Sequence, residues 1–160
     1  MSAPLPDVRQ DTPQIRQMLA ADLDAVMAIE QEIYPFPWTR GNFSDSINSG
    51  YHCLAFEQAG CLAGYGVMMI GPGEAHMLNL SIAAAWQRRG WGGVLLQHFI
   101  RLAREHRARL MYLEVRQSNP GAVRLYQRAG FRQIATRKDY YPGMKGLYAR
   151  EDAVVMELML

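Results

Sequence analysis

The stretch Leu80-Ser81-Ile82-Ala83-Ala84-Ala85-Trp86-Gln87-Arg88-Arg89-Gly90-Trp91-Gly92-Gly93 decides how this chain is read. Its apolar head ends a strand, a short link follows, and glycines then open a helix. The first backbone N–H groups of a helix have no partner within it and sit at the positive end of its dipole. Glycines remove the Cβ atoms that would keep an anion from those groups. Arg88 and Arg89 add two cations. Together these features suit a pyrophosphate.

Upstream, Tyr51–Glu57, Cys61–Ile70 and Glu74–Ile82 read as strands joined by tight turns at Gln58-Ala59-Gly60 and Gly71-Pro72-Gly73, a three-stranded antiparallel meander. Before them, Ile15–Leu19 is a strand candidate. Asp22 can cap a helix from Leu23 to about Tyr34 that Pro35 and Pro37 stop, and a second short helix spans Arg40–Ile47. Downstream, Val94, Leu95, Phe99, Leu102 and Ala103 recur at helical spacing, and Arg109–Val115 is an apolar strand with one carboxylate, Glu114. Asn119-Pro120 opens a helix that Gly130 ends. Phe131–Lys138 and Val154–Leu158 are the last strands. Antiparallel strands followed by alternating strands and helices predict a mixed sheet, of α+β or α/β class.

The chain has 160 residues, the size of one domain, and is 49% hydrophobic, enough for a core without disulfides or metal. Residues 1–13, with three prolines, read as a loose tail and 14–160 as a single domain. A net charge of +2 is too small to argue for nucleic acid or an anionic membrane. Of the cationic residues only Lys138 and Lys145 are lysines, a skew that coding bias explains as well as phosphate binding does. Cys53 and Cys61 are expected to be free buried thiols, the alternative being a pair across the hairpin. His52, His76, His98 and His106 are scattered without metal-ligand spacing, so no metal is expected. No apolar run is long enough for a membrane span and no secretory signal is evident, which predicts a cytoplasmic protein.

Three phosphate loops compete for residues 87–93. A Walker loop needs GxxxxGK[ST], which is absent, and a dinucleotide loop needs a third glycine and a parallel strand unit before it. The remaining pattern, Q/R-x-x-G-x-G/A, is met by Gln87-Arg88-Arg89-Gly90-Trp91-Gly92. Alone it is weak, since small residues also open helices for packing. The motifs around it extend the match: Leu113-Glu114-Val115-Arg116, Ser118-Asn119, Leu125-Tyr126, Gly130-Phe131, Tyr140-Tyr141-Pro142, Ile29-Glu30-Gln31, Phe36-Pro37-Trp38 and Arg150-Glu151-Asp152-Ala153. Over about residues 14–158 the chain resembles the GNAT N-acetyltransferases, and within them the RimI-type branch that acetylates the N-terminal alanine of a ribosomal protein.

The resemblance implies the GNAT acyl-CoA N-acyltransferase fold, with a splayed parallel strand pair and helices on both faces. It implies acetyl-CoA as cosubstrate and a protein N-terminal peptide, ribosomal in origin, as acceptor. Pantetheine would pair with the backbone of Leu80, Ser81 and Ile82, and Arg88, Arg89, Gly90, Trp91, Gly92 and Gly93 would wrap the pyrophosphate. Asn119 would bond the cofactor, Glu114 would accept a proton and Tyr126 would donate one. Phe36, Pro37, Trp38, Tyr140 and Tyr141 are rigid residues at expected loops that can wall a peptide groove, and Glu30 can help attract the substrate's amine, the alternative for each being simple packing.

The chemistry of each residue leaves alternatives. Burial of Glu114 between apolar neighbours would raise its pKa toward that of a working base, whereas pairing with Arg116 would make it structural. Tyr126 lies seven residues after Asn119 on the same helix, so both can face one groove, or Tyr126 can simply pack. Asn119 is also an N-cap before Pro120. Trp86 and Trp91 can cover the cofactor or fill the core. The sequence departs from its relatives at Trp91, at Ser81-Ile82-Ala83-Ala84, and in the longer segment between Tyr141 and Arg150, which bears on substrate choice. A lysine or small-amine acetyltransferase, or an acyl-CoA-binding module without turnover, are the competing functions.

Overall fold

The computed structural model describes residues 12–143 and 149–160. Most of the tail at 1–13, and the middle of the segment between Tyr141 and Arg150, lie outside the described residues. Strand β1 (Gln14–Gln17) leads through a short 3-10 turn into helix α1 (Leu23–Ile33), then α2 (Arg40–Asn48) and the strands β2 (His52–Gln58), β3 (Cys61–Gly71) and β4 (Glu74–Ile82). Helix α3 (Trp91–Glu105), β5 (Leu110–Arg116), α4 (Pro120–Arg128), β6 (Arg132–Pro142) and β7 (Arg150–Met159) complete the order. The seven strands form one sheet in the order β1-β2-β3-β4-β5-β7-β6, all neighbours antiparallel except β4 and β5.

Each face of the sheet carries its own core, because alternate side chains of a strand point to opposite faces. Phe56, Met68, Met111 and Leu113 pack beneath α3 and α4 with Leu95, Phe99 and Ile100. Ala55, Tyr65 and Val67 pack on the other face with Val26 and Ile29 of α1 and Phe43 of α2. The expected meander and mixed sheet are present.

Local details depart from expectation. Asp22 precedes α1, but its side chain makes no cap there. It accepts from Leu19 N–H and pairs with Arg16 at 2.8 Å, tying β1 to the turn. Cys53 is buried and opposite Val67, whereas Cys61 is exposed and opposite Gln58, so the two do not meet. Strands β6 and β7 run several residues beyond their expected ends.

The feature that shapes the site is a bulge in β4. Val67 pairs with Asn79 but Met68 pairs with Met77, so Leu78 is an extra residue. It shifts the alternation by one: Ala75 and Met77 before it, and Leu80 and Ile82 after it, all pack against the α3–α4 core. The parallel pairing with β5 ends at the same point, at Met77 opposite Leu113. Beyond it β4 bends along β3 while β5 continues along β7. A fork opens between Leu78–Ile82 on one side and Glu114–Arg116 on the other.

Candidate active site

The backbone of β4 meets the fork with alternate residues. Ala83 N–H donates to Ala63 O across β3 at 2.8 Å, so in an antiparallel ladder Ser81 and Asn79 also direct their polar backbone atoms to β3. Leu80 and Ile82 therefore turn theirs toward the open side. Their carbonyls confirm the direction: Leu80 O accepts from the Tyr34 hydroxyl at 3.3 Å and Ile82 O from Gln87 Nε2 at 2.9 Å. Ser81 differs from expectation: its backbone is turned to β3 and its side chain is buried. Its Oγ lies 2.7 Å from both Asn79 Oδ1 and the Tyr34 hydroxyl.

At the open end of the fork, Ala84–Trp86 form a single 3-10 turn and Arg88–Gly90 lead into α3. Arg88 and Gly90 have φ of 61° and 85°, left-handed values that turn the chain sharply at the helix start. The first bond within α3 runs from Val94 N–H to Gly90 O at 3.3 Å, so the N–H groups of Trp91, Gly92 and Gly93 point out of the helix end. Gly92 lies beside Leu125 of α4, where a Cβ would make an ordinary contact at 3.4 Å. Arg88 and Arg89 are exposed, and the Arg89 guanidinium lies over the Trp86 ring at 5.2 Å. Trp91 packs on Phe56, with ring centroids 5.5 Å apart, and so serves the core as well as the loop.

Glu114 stands at the crotch of the fork. Tyr112, Glu114 and Arg116 form the half-buried row of β5, and Met111, Leu113 and Val115 the buried one. The Glu114 side chain is only 7% exposed. His76 Nε2 lies 2.5 Å from its Oε2, and Arg137 Nη1 3.8 Å from its Oε1. The expected upward shift of its pKa is corrected here. The His76 hydrogen bond holds the carboxyl below the usual carboxylate range, outweighing burial, with the charge of Arg137 acting in the same direction. Arg116 does not pair with Glu114 but with Glu151, at 3.0 Å.

Tyr126 comes from α4, on the other face of the sheet. Its ring packs on Phe131 at 5.7 Å, and burial raises its pKa, with Tyr34 and Tyr141 as the ionisable neighbours that act on it. Among the described residues nothing hydrogen-bonds its hydroxyl. Asn119 caps α4 by accepting from Ala122 N–H at 3.2 Å through Oδ1.

The aromatic residues gather around Arg116. Its guanidinium lies between the rings of Phe36, at 5.2 Å, and Tyr141, at 4.4 Å, and donates to Pro142 O at 2.8 Å. Tyr140 meets Tyr141 edge-on at 4.8 Å and carries Arg137 over its ring at 5.4 Å. A register shift between Arg137 and Tyr141, with Asp139 at φ 53°, interrupts the pairing of β6 with β7 at these tyrosines. Pro37 is exposed and Trp38 half-buried against Phe43 at 5.1 Å. Glu30 is not open to solvent. It is 1% exposed, and it accepts from Trp38 N–H at 2.9 Å, the Tyr65 hydroxyl at 2.5 Å and Asn79 Nδ2 at 3.4 Å.

His76, Tyr34, Arg116 and Arg137 were not among the expected site residues. Only the register of β4 against β5 brings His76 to Glu114, and nothing in the local sequence marks it. Among the described residues no cluster of His, Cys, Asp or Glu could hold a metal ion, and no helix is long and apolar enough to cross a membrane.

A forked parallel pair, a helix start with free N–H groups at one end and a carboxylate at the crotch make a cleft of the kind an acyl-carrier-dependent transferase needs. The chain belongs to the acetyltransferase (GNAT) family, whose profile matches residues 23–131. It is 33% identical over 144 residues to the ribosomal protein bS18-alanine N-acetyltransferase of Escherichia coli, covering 90% of this chain and 95% of that one. The Salmonella typhimurium protein of the same description is 34% identical over 137 residues, 86% and 90% of the two chains. The crystal structure of the Escherichia coli ribosomal-protein-S18-alanine N-acetyltransferase superposes with a TM-score of 0.85 at 32% identity, over 92% and 94% of the chains. Ard1 from Thermoplasma volcanium gives 0.82 at 25% identity, over 92% and 97%.

Proposed function

We propose that this chain transfers the acetyl group of acetyl-CoA to the α-amine of a protein N-terminus, with the N-terminal alanine of a small-subunit ribosomal protein as its substrate. The observation that carries the reading is the position of Glu114, an ionised carboxylate at the crotch of a fork that an extended thioester would occupy. The kinship with the bS18-alanine N-acetyltransferases supports the substrate.

In this reading pantetheine runs along β4 and meets the N–H groups of Leu80 and Ile82, whose carbonyls also accept from Tyr34 and Gln87. The pyrophosphate sits at the N–H groups of Trp91–Gly93, with Arg88 and Arg89 beside it. Asn119, its Oδ1 used for capping, turns its amide hydrogens to the cofactor. The peptide enters between Phe36-Pro37 and Tyr140-Tyr141, and Glu114 meets its ammonium.

The amine must lose a proton before it attacks the thioester carbon. An N-terminal ammonium has a pKa of about 7.7–8.0 against about 4.3 for a carboxylic acid, so transfer to Glu114 is uphill by at least about 5 kcal/mol. Turnover of about 1–10³ per second corresponds to a barrier of about 13–17 kcal/mol, which accommodates that step. The nitrogen lone pair then forms the C–N bond, collapse of the tetrahedral intermediate breaks the C–S bond, and Tyr126 delivers a proton to the departing thiolate. The second proton shed by the nitrogen restores the Tyr126 hydroxyl, and Glu114 gives up the first to solvent. The raised pKa of Tyr126 keeps its hydroxyl protonated at neutral pH and makes delivery to a thiolate uphill, so the proton shed by the nitrogen must replace it as the intermediate collapses.

Peptides with alanine at a free or a formylated N-terminus, each with one internal lysine, test the reading. Acetyl on the free α-amine alone is expected. Acetyl on lysine in both peptides favours a lysine acetyltransferase, and acetyl-CoA binding without any product favours a binding module.

A further inference from the structure

We propose that His76 is a positioning residue for Glu114: its imidazole donates Nε2–H to Oε2 of the carboxylate, fixing that group in the fork as an anion whose other oxygen is turned to the incoming ammonium. This rests on the reading of Glu114 as the proton acceptor.

An ionised carboxylate only accepts hydrogen bonds, so at 2.5 Å the hydrogen between the two atoms belongs to the imidazole. Two features hold the imidazole still. His76 is the register partner of Tyr112, within the last parallel pairs before the fork opens. Its ring stacks on the Tyr112 ring, with centroids 4.2 Å apart and planes 21° from parallel. The donor is thus anchored in the rigid, fully paired part of the sheet, and the carboxylate it holds stands where pairing has stopped.

The other charged and titratable groups around the pair do not replace it. Arg137 of β6 is 3.8 Å from Oε1, with a side chain 55% exposed. Arg116 of β5 is committed to Glu151, Pro142 and the rings of Phe36 and Tyr141. Tyr112 of β5 and Tyr141 of β6 feel the charge of Glu114, and Glu74 of β4 acts on Tyr112. Without His76, burial becomes the dominant influence on Glu114 and acts to protonate it.

The test follows the Glu114 carboxyl by carbon-13 NMR in the wild type, His76→Leu and His76→Gln, alongside kcat at saturating alanyl peptide. Leucine removes the donor and glutamine replaces it. In His76→Leu the Glu114 midpoint is expected to rise by about one to two pH units. Since the carboxyl must be ionised to work, the acid limb of kcat moves to higher pH by the same amount. Turnover at neutral pH falls about tenfold or more from lost orientation. In His76→Gln the midpoint and most of the turnover return. His76→Phe, which keeps the stack on Tyr112, serves if leucine disturbs the sheet. Equal midpoints in all variants, or a glutamine variant as shifted as the leucine one, overturn the proposal. A wild-type chain that leaves free alanyl peptides unmodified overturns the proposed reaction instead, and the carboxyl titration still decides the role of His76.

Discussion

Replacing Glu30 by alanine separates two roles for that carboxylate, and the structure sets the size of the effect. Glu30 lies in α1 with its oxygens turned inward to three neutral donors: Trp38 N–H, the Tyr65 hydroxyl and Asn79 Nδ2. Tyr65 is fully buried, so its hydroxyl has no water to fall back on. Losing the two shorter bonds leaves two donors unsatisfied at about 1–3 kcal/mol each, or about 2–6 kcal/mol together. For a domain near 150 residues each kcal/mol moves the unfolding midpoint by about 2–4 °C, so Glu30→Ala should lower it by at least about 4 °C. The Phe36–Trp38 loop loses its anchor, so the peptide KM rises while the affinity for acetyl-CoA changes little. Thermal unfolding followed by circular dichroism, with peptide and acetyl-CoA titrations on the folded variant, measures all three. An unchanged midpoint together with a peptide KM raised tenfold would refute the anchoring role and restore the view that Glu30 meets the substrate amine.

Glu114→Gln should lower kcat by about 10²–10⁴-fold, the usual range for loss of a proton-transferring group, and leave acetyl-CoA affinity near wild type; undiminished turnover removes Glu114 from the reaction. Tyr126→Phe keeps the ring on Phe131 and removes a hydroxyl without a partner among the described residues. It should lower kcat about tenfold or more with little change in stability, and full activity would remove the donor role. Gly90→Asp puts a side chain on a residue at φ 85° and a negative charge beside the helix start. Calorimetry should show acetyl-CoA binding weakened at least about tenfold, and wild-type affinity would dismiss the pyrophosphate site.

The strand, turn and helix start proposed for the cofactor were legible in the sequence, because their determinants are local. A strand, a turn and a glycine-opened helix create their free N–H groups within a dozen residues, whatever the rest of the chain does. The same holds for Asn119 before Pro120, where cap and first helical residue announce α4. Strand β6 was read too short because it is a wholly exposed edge strand as far as Tyr140, without alternation between a wet and a dry face. Its pairing with β7 carries it on to Pro142.

The sequence by itself determined the class of fold and the glycine-opened helix start after β4, since both are written in neighbouring residues, and its resemblance to the GNAT family made Glu114 and Tyr126 candidates. Tertiary structure decided what those groups experience. Reading along β5, Glu114 has only apolar neighbours and should be hard to ionise. Across the sheet it meets His76 and Arg137, which hold it as an anion. Glu30 likewise has the look of a free carboxylate, until Tyr65, Asn79 and Trp38 close on it from three other segments. Ionisation follows the charges and donors within a few ångströms, and for buried groups most of those arrive from distant positions in the chain.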